Sequence, residues 1–348
     1  MSFSPVRVLV VDDSAYLRKV MSEMLNRSTS IQVVGTASSG ADALEKAAEL
    51  QPDVITLDLF MPGLSGVNFL KEQMARKAIP VVICSIATQG GEEVVAAIEA
   101  GAIEFVRKPT ALFSEQIYQI ADDLIQKVLT AAHIPVGKLT AVSNLSAPHL
   151  VLPEHSAASR IDAVVIGIST GGPQALRYLL PQLPGDFPAA IAIVLHMPVG
   201  YTGPFAQKLN EISEIEVLEA ENGLEMKPGR TILARAGYHL TLDSSMAGNC
   251  RVRLDLSPEN TLHRPSADVL FRSAAETYGM RTLGAVMTGM GNDGTAGAAW
   301  IKAQGGMVLA EAEESCVVYG MPRSVVESGL ADHVVPLNRF AQTLMEVV

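Results

Sequence analysis

Positive charge is scarce in this 348-residue chain: 26 Lys and Arg stand against 37 Asp and Glu, a formal net charge of −11. No basic tract interrupts that balance, which argues against a nucleic-acid surface or an anionic membrane as the main partner. Cysteine is scarce too. Cys84, Cys250 and Cys316 are odd in number and far apart, with no CxxC pair. Neither a disulfide framework nor a zinc site is therefore expected, and the three read as reduced, ordinary thiols. No apolar run reaches the roughly 18 residues that a membrane span needs. The opening MSFSPVRVLVVDDS lacks the basic start and long apolar core of a signal peptide. These absences set the expectation of a cytoplasmic protein without membrane insertion. What is present is ordinary core material, 48% hydrophobic and 18% charged residues, enough over this length for two domains with a core each.

In the amino-terminal half, Val6 to Val11 is an apolar run ending in Asp12 and Asp13. Ser14 is placed to cap a helix over Leu17, Val20, Met21, Met24 and Leu25. Ile31 to Thr36 reads as a strand, Gly40 to Glu49 as a helix, and Asp53 to Leu57 as a strand ending in Asp58 and an MPG turn. Pro80 to Cys84 ends in Ser85, and Ile103 to Val106 ends in Arg107, Lys108 and Pro109. Strand and helix alternate with short loops, the pattern of a parallel, doubly wound sheet with its polar groups on one edge. Three acids on neighbouring strand ends repel one another unless a cation lies between them. A hard divalent ion held by oxygen, Mg2+ being the usual choice, resolves the conflict. Each Asp taken singly also reads as a turn or cap residue. The function is carried by the combination of acid pair, acid, hydroxyl and lysine, each on its own strand end.

On these residues, 5 to 125 resembles a receiver domain of two-component signalling, which implies a flavodoxin-like, five-stranded parallel sheet. The resemblance makes Asp58 the phospho-acceptor and Asp12, Asp13 and Asp58 the Mg2+ site. It makes Ser85 the hydroxyl that hydrogen-bonds the phosphoryl group, Lys108 its charge partner and Phe105 the switch aromatic. The chemistry is consistent: a carboxylate attacks a phosphohistidine while metal and lysine neutralise the spreading charge. Phe60 departs from relatives with the same downstream domain, which usually carry Glu, and its side chain is expected beside the phosphoryl site. A helix from Ser114 with apolar Ile117, Ile120, Leu124 and Val128 closes the domain. From His133 to Ser159 periodicity is lost and Pro, Ser and Ala gather, so residues 126–159 are assigned to a linker. His133, His149 and His155 lie too far apart there for metal-ligand spacing and read as solvated.

The second half, residues 160–348, is organised around DAVVIGISTGGP, Asp162 to Pro173. Val164, Val165, Ile166 and Ile168 read as a buried strand, and Gly171, Gly172 and Pro173 punctuate it, with Pro173 at a first helical position. Ser169 thus stands at the carboxyl end of a strand, in the GxSxG spacing that exposes a serine on a tight turn, although a serine there also reads as a helix cap. Ala189 to Leu195 is a second apolar strand and ends in His196. Leu283 to Met287 is a third and runs into TGMGNDG, which places Asp293 in a glycine-rich loop. A serine hydrolase needs this set: Ser169 as nucleophile, His196 as base and then acid, Asp293 to fix the imidazole's tautomer. The chain order Ser, His, Asp differs from the Ser, Asp, His of α/β-hydrolases. Gly289, Gly291 and Gly294 also spell GxGxxG, with Glu311 and Glu313 some 20 residues on, as in dinucleotide-binding domains. Against that reading, Asp293 would bring a carboxylate where a pyrophosphate must approach. His263, in a polar HRPS segment, and His239, inside the YHLTL alternation, rival His196 for the base and read as structural or substrate-facing.

GISTGGP, HMP, HRPSADVLF (263–271), TGMGNDG and VVYGMPR (317–323) resemble, in this order, the chemotaxis protein-glutamate methylesterases, the CheB family. The resemblance implies a doubly wound, mostly parallel α/β serine-hydrolase domain with Ser169, His196 and Asp293 as triad. Thr170 and Met290 become the backbone oxyanion donors, and no cofactor is needed for ester hydrolysis. Leu195 stands where many relatives have Gln. The implied substrates are γ-glutamyl methyl esters on methyl-accepting chemoreceptors, and glutamine side chains deamidated at the same site. The implied phosphodonor is a chemotaxis histidine kinase, and the unphosphorylated receiver is expected to inhibit by covering the catalytic edge. The competing expectation is a receiver-linked module that holds receptor helices without hydrolysing them.

Overall fold

Short runs of β-branched and aliphatic residues build both sheets. The computed structural model describes residues 4–85, 91–108, 116–135, 137–138, 161–244 and 250–348. The chain divides into two compact units, Met1–Ser143 and Asn144–Val348. In the first, strands β1 (Val6–Val11), β2 (Ile31–Ala37), β3 (Val54–Leu57), β4 (Val81–Ser85) and β5 (Glu104–Arg107) form a parallel sheet in the order β2-β1-β3-β4-β5. Helices Ala15–Leu25, Gly40–Leu50, Gly66–Arg76, Gly91–Glu99 and Gln116–Ala132 connect or close it. Ser14 caps the first helix by accepting the Leu17 N–H, as its sequence position suggests. Burial of Leu9, Val54, Ile55, Val82 and Phe69 makes the core, and the sheet order reverses beside β1, the point where open α/β sheets place their sites.

The main sheet of the second unit has seven strands among the described residues, all paired in parallel: β6 (Ala163–Ile168), β7 (Ala190–Leu195), β8 (Glu216–Glu219), β9 (Arg230–Leu233), β12 (Thr282–Val286), β13 (Met307–Glu311) and β14 (His333–Val335), in the order β14-β13-β12-β6-β7-β9-β8. Strands β10 (His239–Ser244) and β11 (Cys250–Asp255) form a separate antiparallel hairpin. It packs with the Ala267–Tyr278 helix, where Leu240, Val252, Leu270 and Phe271 share one buried cluster. All three cysteines are buried and free, and burial pushes the Cys84 thiol up to about 12, which keeps it protonated and unreactive.

Most strand boundaries shift by one residue from the sequence reading, and two helix differences are of more consequence. The helix that closes the first unit continues to Ala132, into residues assigned to the linker, because Val128 and Ala131 extend its buried face. Pro173 is the second helical residue, since the helix already opens at Gly172. The start of the closing helix at Ser114, and His149 and His155, lie outside the described residues. His133 is exposed, its Nδ1 2.6 Å from Leu129 O.

Candidate active site

Register brings the first unit's acids together. Val11 pairs with Leu57 across β1 and β3, so Asp12 and Asp58 leave adjacent strand ends side by side. Lys108, one residue past β5, reaches both, Nζ lying 2.7 Å from Asp12 Oδ2 and 2.8 Å from Asp58 Oδ2, with all three buried. Burial pushes the Asp58 carboxyl up; Lys108 pulls it down without cancelling that, and neighbouring Asp12 adds to the rise. Burial alone would lower Lys108, but its hydrogen bonds to Asp12 and Asp58 prevail and hold it up. Carboxylate oxygens of Asp12, Asp13 and Asp58 lie within 4.8 Å of one another, an all-oxygen donor set suited to a hard divalent cation. Ser85 Oγ is buried without a hydrogen-bond partner among the described residues, and Lys108 N–H donates to Ser85 O at 2.9 Å. Phe105 is buried, and Lys127 Nζ holds its carbonyl at 2.7 Å. Phe60 is half-buried, and its backbone N–H donates to Asp58 Oδ1 at 3.2 Å.

Register also assembles the second site. Ile168 pairs with Leu195, and Gly167 with Val286, so Ser169, His196 and the loop after β12 leave three adjacent strands at the same edge. His196 N–H donates to Ile168 O at 3.2 Å, and Ser169 N–H to Thr288 O at 2.9 Å. The turn after Ser169 needs Gly171, which has φ +77° and lies where a Cβ would meet Val317 at 2.5 Å. Gly171 also occupies the N-cap position of the next helix, so Ser169 is not its cap. Gly289 presses against Ser169: a Cβ there would stand 2.8 Å from Ser169 Cβ. Leu195, the departure next to His196, is fully buried in β7.

His196 Nε2 lies 2.8 Å from Asp293 Oδ2. The carboxylate also accepts Ser266 Oγ at 2.8 Å and the N–H groups of Ala267, Asp268 and Gly294 at 2.7, 3.0 and 3.1 Å. The amino end of the Ala267–Tyr278 helix therefore points at Asp293, which serves as its cap from a distant part of the chain. Burial would raise the Asp293 carboxyl, but the His196 hydrogen bond and charge, with the Asp268 and Ala267 N–H groups, hold it far below the usual carboxylate range. A carboxylate so placed keeps the Nε2–H tautomer and leaves Nδ1 as the ring's acceptor. Nδ1 is buried and has no hydrogen-bond partner among the described residues. Of the rival histidines, His263 stacks on His196, centroids 4.0 Å apart and planes 20° from parallel. His239 is fully buried, its Nε2 3.1 Å from Pro258 O while Nδ1 accepts the Ser266 N–H at 3.3 Å. That tautomer suits its downward-shifted basicity, caused chiefly by burial, and makes His239 a brace for the loop before the helix. Glu311 is fully buried with its carboxylate on Thr288 N–H and Ser315 Oγ, so it does not present itself to a ribose as the dinucleotide reading requires.

Sequence reasoning did not single out Ser266 as a partner of Asp293, nor Thr288 or Glu311 as supports of the turn that carries Ser169. Ser266 lies in the quoted HRPSADVLF stretch, and its place before a helix with Asp268 in the first turn was the available signal.

The folds and sites together define a receiver-type acidic pocket joined in one chain to a parallel α/β unit that carries a serine, histidine and aspartate at one sheet edge. A CheB methylesterase family model matches residues 164–344, and a response regulator receiver domain model matches residues 8–120. A protein-glutamate methylesterase/protein-glutamine glutaminase of Myxococcus xanthus is 51% identical over 341 residues, 96% of each chain. One of Thermotoga maritima is 41% identical over 344 residues, covering 99% of this chain and 98% of its own. The crystal structure of the Thermotoga maritima CheB methylesterase catalytic domain superposes with TM-score 0.53 at 45% identity, over 55% of this chain and all of that one. The chain belongs to the CheB methylesterase family. Among the described residues no helix is long and apolar enough to cross a membrane.

Proposed function

We propose that the protein is a phosphorylation-controlled methylesterase of bacterial chemosensory adaptation, which hydrolyses γ-glutamyl methyl esters on methyl-accepting chemoreceptors and deamidates glutamine at the same site. The observation that carries this reading is the His196–Asp293 pair beside Ser169 on three adjacent strand ends. In the proposed reaction the Ser169 hydroxyl turns toward His196 Nδ1 and gives up its proton as Oγ attacks the ester carbonyl carbon. The oxygen of the tetrahedral adduct receives the N–H groups of Thr170 and Met290. Asp293 stabilises the imidazolium through Nε2–H. Nδ1–H then protonates the departing methoxide, or the amide nitrogen of glutamine, which leaves as ammonia. Water, deprotonated by Nδ1, attacks the acyl-serine, and Nδ1–H returns that proton to Ser169 Oγ as it departs, which releases glutamate and restores the hydroxyl. The cytoplasm is the compartment in which receptor helices and a kinase would meet this chain.

For the receiver unit, we infer that Asp58 accepts the phosphoryl group from a chemotaxis histidine kinase, that Lys108 pairs with the product's charge and that Ser85 and Phe105 respond to it. Asp12, Asp13 and Asp58 would hold Mg2+, which when bound neutralises phosphoryl charge. A purely receptor-holding module is disfavoured because such a role has no use for an aspartate fixed by five donors against an imidazole. Methanol release from methylated receptor tests the function. The wild-type protein should release it, and Ser169→Ala and His196→Ala should each lose nearly all turnover, because the two groups act as a unit. Turnover that survives Ser169→Ala undiminished would rule the hydrolase out.

A further inference from the structure

The turn that carries Ser169 is bracketed from the neighbouring strand by a single residue. Thr288 lies just past β12 and is 1% exposed. Its carbonyl accepts the Ser169 N–H at 2.9 Å. Its hydroxyl donates to Thr170 O at 2.9 Å and accepts the Val318 N–H at 3.0 Å. The N–H of Thr288 is itself held by Glu311 Oε2 at 2.8 Å, and Glu311 Oε1 accepts Ser315 Oγ at 2.9 Å. Glu311 is fully buried at the end of β13, so the bracket rests on the next strand of the sheet.

We propose that Thr288, anchored by Glu311, is the positioning residue of the nucleophile turn. The peptide between Ser169 and Thr170 lies between the two atoms that Thr288 holds, the Ser169 nitrogen and the Thr170 oxygen. Fixing both ends sets the rotation of that peptide, and with it the direction of the Thr170 N–H relative to the Ser169 side chain. Attack by Oγ and stabilisation of the resulting oxyanion require these two groups to converge on one carbonyl, and a misplacement of about 1 Å costs about 100-fold in rate. Removing the hydroxyl would also take one hydrogen bond from the Thr170 carbonyl and one from the Val318 N–H. Glu311 thus supports the nucleophile turn and takes no part in nucleotide recognition. The inference rests on the hydrolase reading above and names a residue that makes its geometry.

The test uses the full-length protein and methylated receptor, with Thr288→Val, Thr288→Ser and Ser169→Ala compared with wild type for kcat, KM and melting temperature. Thr288→Val should lose about 10- to 100-fold in kcat with KM changed by less than about twofold, while remaining folded at the assay temperature. Thr288→Ser, which restores the hydroxyl, should stay within about threefold of wild type, a recovery that methyl-group packing alone would not give. Wild-type kcat in Thr288→Val, or equal losses in the valine and serine proteins, would overturn the positioning role. If the valine protein does not fold, Thr288→Ala beside Thr288→Ser carries the same comparison, and equal rates in those two would be the contrary result. Unimpaired turnover in Ser169→Ala would instead defeat the hydrolase reading, and the inference with it.

Discussion

Asp293 concentrates the chemistry of the second unit in one side chain. Two oxygens receive an imidazole N–H, a serine hydroxyl and three backbone N–H groups, and each of these donors favours the charged carboxylate. Ionisation is therefore retained in a half-buried place, and a negative partner stands ready for His196 when it takes a proton. Asp293→Asn should fold yet lower kcat by roughly four orders of magnitude, because the amide can satisfy the wrong nitrogen and trap the wrong tautomer. Its stability carries a second, separable signature. A carboxyl depressed in the folded state stabilises fully above the unfolded value and loses that contribution as pH falls toward the folded one. The destabilisation of Asp293→Asn relative to wild type should therefore be constant near neutrality and shrink between about pH 4 and pH 2. Paired denaturant titrations across that range measure it, and a penalty growing toward acid would contradict the sign of the shift.

At the scale of elements, both sites are made by strand register, and this is why so much of them was legible. Aliphatic runs ending in Asp12, Asp58, Ser169 or His196 announce parallel strands whose ends carry polar groups. Once the strands are adjacent, chemistry says which ends belong together. The rest is non-local. Strands β8, β9 and β14 carry no residue of either site, which left them without a marker in the sequence, and nothing near Asp293 in sequence reveals that a helix beginning at Ala267 points at it. The orientation of the His196 ring, with Nε2 toward Asp293, is likewise a product of packing, as is the buried grip of Glu311 on the TGMG loop. That loop has a measurable tolerance. Gly289→Ala would push a Cβ to 2.8 Å from Ser169 Cβ and 2.5 Å from Met321 Sδ, and overpacking of this kind costs about 1–3 kcal/mol. The variant should melt at a lower temperature and lose activity more than stability, because the atom displaced belongs to Ser169, the proposed nucleophile. Full activity in a destabilised protein would show that the loop yields and the serine does not. In the receiver sheet, the clustered Asp12, Asp13 and Asp58 oxygens repel an incoming phosphoryl anion. Chelation of divalent ions should then abolish labelling from a small phosphodonor, and Asp58→Asn should abolish it even with Mg2+ present; labelling of that variant at unchanged stoichiometry would move the acceptor elsewhere.

At the scale of the whole molecule, one chain carries an acceptor pocket and a hydrolytic site, each in its own compact unit. The stretch between their last and first regular elements lacks apolar periodicity and is rich in Pro, Ser and Ala, the composition that the sequence assigns to a linker. Control is expected to be inhibitory at rest: a receiver that covers the catalytic edge would exclude a receptor helix, and phosphorylation of Asp58 would weaken that cover by drawing on Ser85 and Phe105. The energy required is modest. A tenfold gain in open protein from a mostly closed population needs about 1.4 kcal/mol of differential stability. A repositioned aromatic and a few polar contacts supply that much. Three esterase rates decide the matter: the intact unphosphorylated chain, the same chain with Mg2+ and a phosphoryl mimic, and a fragment beginning near Ser156. The catalytic domain of the Thermotoga maritima relative, solved as a separate structure, supports the expectation that such a fragment folds. Both treatments should raise the rate above that of the intact unphosphorylated chain. A folded fragment slower than the intact chain would mean that the receiver activates by direct contact, and phosphorylation would then have to strengthen an association between the units.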